Sequence, residues 1–107
     1  MAYDEVLANK VRKALSSSNV QEKKGFGGLM FMLNGKMCVS VNNRPDHIMM
    51  VRMDRRNQIE ALKRKGAKIA VMRGKELNGW IFLTKEAVEI PKDLNYWLRL
   101  AIEFNKI

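Results

Sequence analysis

The stretch Lys23-Lys24-Gly25-Phe26-Gly27-Gly28-Leu29-Met30-Phe31-Met32-Leu33-Asn34-Gly35-Lys36-Met37-Cys38 is an apolar run punctuated by glycine and folded back on itself by Asn-Gly. A type I′ turn needs positive φ at both central residues, and Asn34-Gly35 tolerates it, so the run predicts two antiparallel strands joined by a two-residue loop. With that loop Leu33 faces Lys36, Met32 faces Met37 and Met30 faces Val39, which predicts one sheet face carrying Met30, Met32, Met37, Val39 and Val41. The other face carries Leu29, Phe31 and Leu33 beside Lys36, Cys38 and Ser40. Its first strand is too apolar for open solvent, so a helix, a loop or another subunit is expected to cover part of it. Gly25, Gly27 and Gly28 are expected to form a bulge or sharp bend where the preceding strand, Val20 to Lys24, feeds into the hairpin.

Outward from the hairpin, the chain reads as helix, three strands, a further strand, a short helix, one or two strands and a final helix. The first helix is predicted from about Asp4 to Leu15, with Tyr3, Leu7, Val11, Ala14 and Leu15 at helical spacing, acids in the first turn and Lys10, Arg12 and Lys13 towards the end. Ser16-Ser17-Ser18-Asn19 stops it. After the loop Asn42-Asn43-Arg44-Pro45-Asp46, the segment from His47 to Met53 is short, apolar and bounded by turn residues, as a strand should be. Asp54 reads as a helix N-cap and Gly66 as the residue that ends that helix. Ile69 to Arg73 and Trp80 to Leu83 are the remaining strand candidates, separated by Gly74 to Gly79. The last helix begins near Pro91 and places Leu94, Trp97, Leu98, Ala101, Ile102 and Phe104 on a broad apolar face.

The pattern Lys-Lys-x-Phe-Gly-Gly, strand, Asn-Gly, strand resembles the amino-terminal domain of the TfoX/Sxy family, named for regulators of natural transformation competence. Further along, Met1-Ala2-Tyr3-Asp4-Glu5 resembles the family's opening, Met49-Met50-Val51-Arg52 its later strand ending in Arg, and Leu77-Asn78-Gly79-Trp80-Ile81-Phe82-Leu83 its Gly-aromatic strand. The resemblance implies an α+β, two-layer domain, with an antiparallel sheet of about five to six strands packed against amino- and carboxy-terminal helices. It also implies a bacterial protein linked to DNA uptake or its transcriptional regulation. Full-length competence regulators carry a second, carboxy-terminal domain, and residues 1–107 correspond to the first domain alone.

Length and composition agree with one domain: 107 residues, 47% hydrophobic. The first residues lack the basic start and apolar run of a signal peptide, and no apolar stretch approaches the roughly 20 residues of a membrane span, so a cytoplasmic address is expected and a membrane partner is not. Cys38, the single cysteine, has no Cys or His at metal-ligand spacing. No metal or cofactor is expected.

The charge is regional. Lys and Arg number 20 against 11 Asp and Glu, a net +9; residues 44–75 hold ten basic residues and three acidic ones, and residues 76–107 net −1. A basic segment of this kind suits a polyanionic partner. The candidate nucleic-acid or anion-binding residues are Arg52, Arg55, Arg56, Lys63, Arg64, Lys65, Lys68, Arg73 and Lys75. Arg55 and Arg56 in the first turn of the short helix, with Arg52 approaching from the strand, make a candidate phosphate site. The plainer alternative is that Asp54 neutralises part of this charge and the arginines are solvated. Lys63-Arg64-Lys65 suits a helix carboxy terminus, and strand alternation sends Lys23 and Lys24 to opposite sides.

A catalytic reading finds little to work with. His47, the single histidine, follows Asp46 with no nucleophile at an interpretable spacing, and a pocket of convergent polar groups with a shifted His47 pKa is what a small-enzyme reading, such as a nucleic-acid modifying one, would need. Gly25-x-Gly27-Gly28 lacks the spacing and strand-to-helix context of a nucleotide loop. The eight methionines, at strand positions, are expected to fill core, a few of them lining a partner groove. Trp80, Trp97, Phe31 and Phe104 are expected in the core. The function expected is a non-enzymatic regulatory or interaction domain, with a protein or a second copy of the chain as partner. The alternative is sequence-independent nucleic-acid binding through segment 52–75.

Overall fold

A computed structural model describes residues 3–25 and 27–105; Phe26 of the glycine bend and Met1-Ala2 of the opening lie outside the described residues. Strands β1 (Gln21–Gly25), β2 (Gly28–Leu33), β3 (Lys36–Arg44), β4 (His47–Arg52), β5 (Ala67–Met72) and β6 (Lys75–Leu83) form one antiparallel sheet in the order β1-β2-β3-β4-β6-β5. Helices α1 (Glu5–Ala14), α2 (Arg55–Ala61), α3 (Lys85–Val88) and α4 (Pro91–Asn105) complete the α+β fold. No helix among the described residues is long and apolar enough to cross a membrane.

The Asn-Gly turn forms as expected, with Asn34 at φ 55° and Gly35 at φ 76°, and Leu33 opposite Lys36. One step further the register departs from the expectation. Met32 pairs with Met37 but Phe31 pairs with Val39, so Cys38 is an extra residue in β3, a bulge whose thiol donates to the Phe31 carbonyl at 3.2 Å. The bulge moves Val39 and Val41 to the side of Leu29, Phe31 and Leu33, and leaves Met30, Met32 and Met37 on the opposite face. Residues 37–41 are all apolar or small, so their alternation carries no signal that would have located the extra residue.

The Leu29/Phe31/Leu33 face is the one the helices cover. Leu7, Ala8 and Val11 of α1 and Leu94, Trp97, Leu98 and Ala101 of α4 pack there with Met49, Val51, Ile81 and Leu83. Asp4 caps α1 by accepting from the Leu7 amide at 3.0 Å, and buried Trp97 donates its Nε1–H to the Ala87 carbonyl at 3.0 Å. The four-residue α3 was not foreseen; it carries Ala87 and Val88 into the same core.

Other boundaries moved: β3 continues to Arg44, so the first three residues of the expected loop 42–46 are strand, and β5 begins at Ala67 rather than Ile69. Helix α2 ends at Ala61, capped by Leu62, and Gly66 sits in the loop before β5. Strand β6 begins at Lys75, so the expected separator 74–79 is largely strand. Ile69 pairs with Ile81 and the next residue, Ala70, with Leu77, making Asn78-Gly79-Trp80 an insertion. Gln58 of α2 accepts from the Gly79 amide, and the Gly79 carbonyl accepts from Met53 at 2.8 Å, which satisfies both backbone groups of Gly79.

Candidate interaction face

The second face of the sheet carries a cluster of its own. Met30, Met37, Met50, Ala70 and Phe82 are buried there, with Met32, Leu77 and Trp80 half-buried around them, and every one is a strand residue. These side chains shield one another, whereas the opposite face is shielded by helices. Trp80, expected in the core, lies here half-buried.

At one end the face deepens into a cleft of about 900 Å³. Its floor includes Met50, Phe82 and Leu77, and its wall is the outer half of the β5–β6 hairpin, bent by the insertion so that Val71 (46% exposed) and Met72 line it. Polar groups converge at the rim: Arg44 and Asp46 from the β3–β4 turn, Arg73 and Lys75 from the β5–β6 turn. His47, 7% exposed, stacks flat on Phe82 at 3.7 Å between ring centroids, and its Nδ1 lies 2.9 Å from Asp46 Oδ1. Burial pushes the His47 pKa below its usual value, with the Asp46 bond and charge opposing that shift. A neutral ring that donates Nδ1–H to Asp46 fits both facts. Burial works against the Asp46 carboxylate, but the hydrogen bond and charge of His47 hold its pKa below the ordinary carboxylate value.

The nine basic residues singled out in segment 52–75 are dispersed. Arg52 does not join Arg55 and Arg56; its guanidinium lies 4.8 Å from the Trp80 ring centroid and 5.1 Å from that of Phe104. Asp54 takes the helix-start amide of Arg56 at 2.9 Å and its guanidinium at 3.0 Å, while Arg55 is exposed. Lys63 pairs with Glu60, Lys65 lies 4.0 Å from Glu86, and Arg64 pairs with Asp93 and covers the Tyr96 ring at 3.6 Å. These pairs are exposed and screened. Lys68, Arg73 and Lys75 go elsewhere. Lys68 is registered beside Phe82 and Lys75 beside Met72, which puts both on the open face, and Arg73 lines the cleft. Register also adds Lys23, beside Met30, while Lys24 pairs with Leu29 on the other side.

Against known families, residues 13–105 match the TfoX N-terminal domain. The chain belongs to that family. No curated protein matches it. In this TfoX N-terminal domain the signature glycines have a definite task. A Cβ on Gly28 would stand 2.1 Å from the Val41 carbonyl oxygen and 2.7 Å from the Asn42 amide, so glycine lets β2 approach β3. At Gly27, φ 69°, a Cβ would meet the Arg44 guanidinium at 2.6 Å. The glycine bend is therefore the shelf over which Arg44 reaches the cleft. Arg44 was not among the nine candidates, and nothing local in Asn43-Arg44-Pro45 signals its position; it follows from the pairing of distant strands.

Proposed function

We propose that the chain is a non-enzymatic regulatory domain that acts by binding a protein partner on the open sheet face, in the manner of a competence regulator's first domain. The observation that carries this reading is the strand-only cluster around Met30, Met50 and Phe82, edged by Lys23, Arg44, Lys68, Arg73 and Lys75. Thioether side chains adapt to a partner's shape at little cost, and a cationic rim steers association. Family membership supports the regulatory half, with DNA uptake as the pathway in which to seek the partner and the cytoplasm as its place. The cleft supplies what a catalytic reading asks for, polar groups converging on a His47 whose pKa is lowered; against that reading, the Ser40 hydroxyl donates to Asn42 and the Cys38 thiol to the Phe31 carbonyl rather than to His47.

The test is a photo-reactive residue placed at Met32 on the open face or at Lys92 on α4, with transcript profiling of the Met32→Glu variant. Crosslinking to one protein from position 32 alone, with the transcript response lost in the variant, is expected. An unchanged transcript profile, or equal crosslinking from both positions, overturns the proposal.

A second reading, sequence-independent nucleic-acid binding, draws support from Arg44, Arg73 and Lys75 lining one cleft, with Lys68 on the same face. It requires retardation of DNA or RNA at low salt that falls steeply as salt rises. Failure to retard either ends it.

A further inference from the structure

Resting on the interaction reading above, we propose that the occupant of the open face is an acidic amphipathic helix of a partner protein, lying across the strands with its apolar stripe in the cleft. Four observations lead there. Beside Phe82, the cleft floor and wall are aliphatic and thioether, from Met50, Leu77, Val71 and Met72, which suits a row of apolar side chains. Among the described residues, both Phe82 and Trp80 of the face already have polar partners: His47 covers Phe82, and the Arg52 guanidinium sits 4.8 Å from Trp80. Base stacking, on which single-stranded nucleic acid relies, therefore finds these two platforms taken.

The charges complete the match. Cations stand at both sides of the sheet, Lys23 on β1 and Lys68 on β5, with Arg44, Arg73 and Lys75 around the cleft. The one carboxylate among the cleft-lining residues, Asp46, is engaged by His47. A second copy docking through the same face would bring like charge to it, whereas glutamate and aspartate flanking an apolar stripe complement it.

Backbone chemistry selects a helix. An extended segment laid on the face of a sheet leaves its amides and carbonyls unpaired against apolar side chains, while a helix satisfies its own. Five inter-strand steps from β1 to β5, at about 4.8 Å each, span about 24 Å, the length of a helix of about 16 residues.

The probe is a fluorescein-labelled, helix-forming peptide of about 16 residues with Leu, Met and Phe at i, i+3, i+4 and i+7 and Glu on the flanks. Its controls are the same peptide with Lys for Glu, a shuffled peptide of equal composition, and labelled oligothymidylate. Fluorescence anisotropy at about 0.1 M salt should give the acidic peptide a Kd below about 100 μM, with the Lys and shuffled peptides at least about tenfold weaker. Arg44→Glu with Lys75→Glu should weaken the acidic peptide at least about tenfold, while Arg55→Glu, on exposed α2, leaves it unchanged. Both substituted rim residues are exposed, and circular dichroism checks that the fold persists. Equal binding of the shuffled peptide, tighter binding of oligothymidylate, or no effect of the double variant overturns the inference. If the acidic peptide fails while position 32 still crosslinks a protein and Met32→Glu still abolishes the transcript response, the helix inference falls alone. Loss of those two results as well removes the interaction reading with it.

Discussion

The two faces of the sheet are built from alternate residues of the same strands, yet they are packed by different means. Strand β2 gives Leu29, Phe31 and Leu33 to the helices and Met30 and Met32 to the open side; β4 divides Met49 and Val51 from Met50; β6 divides Ile81 and Leu83 from Phe82. The covered face is mostly branched aliphatic and aromatic, side chains that hold one rotamer and lock against α1 and α4. Half of the open-face cluster is methionine, which folds over its neighbours and can rearrange. One face specifies the fold and the other is left able to receive something.

Thiol labelling gives the widest separation between them. Cys38 lies buried on the covered side, and burial pushes its pKa up to about 11. Its alkylation at pH 8 should be at least about a hundredfold slower than in urea, whereas a cysteine placed by Met32→Cys on the open side should react at the rate of an exposed thiol. Comparable native-state rates at the two positions would show that the faces are equally sealed.

Truncation comes next. Phe31→Ala, in the covered core, should cost about 3–5 kcal/mol in urea denaturation, against less than about 1 kcal/mol for half-buried Met32→Ala. Similar losses would mean that the open face is as closely packed as the covered one.

The two signature glycines should separate by a smaller margin. Gly28→Ala drives a Cβ into the Val41 carbonyl and should cost about 1–3 kcal/mol. Gly27→Ala meets the movable end of Arg44 at positive φ, costs about 1 kcal/mol and displaces the guanidinium from the cleft. Acidic-peptide affinity should fall in Gly27→Ala beyond what its stability loss explains.

Acidification probes the rim most gently. The folded pKa of His47 is depressed, so the unfolded state takes up the proton first, and this stability contribution is present above about pH 6.5 and lost as pH falls below it. Asp46, also depressed, contributes stability above its unfolded pKa and loses it at lower pH, in the same direction. Thermal melts from pH 7.5 to 5 should show a fall in Tm that His47→Gln flattens; an unchanged slope in the variant would place the titration elsewhere.

Much of this was legible locally. Asn34-Gly35 announced its turn because only a few residues accept two positive φ values in succession, and Asp54 and Pro91 marked helix starts through their own backbone chemistry. Lys75-Glu76 reads as loop in the sequence because charge on an outer strand resembles charge in a turn. The nine candidate cations illustrate a different loss: they are neighbours in sequence, but α2 carries Arg55 and Arg56 to one place, and the β5–β6 hairpin carries Arg73 and Lys75 to another.

By itself the sequence determined the family, the turn at Asn34-Gly35, the helical termini and the basic excess, because each is written in residues close along the chain. Only the tertiary structure decided which face of the sheet is closed, that Arg44 crosses Gly27, and that Lys23 and Lys68 edge the same surface from opposite sides. A single extra residue, Cys38, inverts the facing of the rest of β3, and in a run where every residue is apolar or small only the pairing of strands can reveal it.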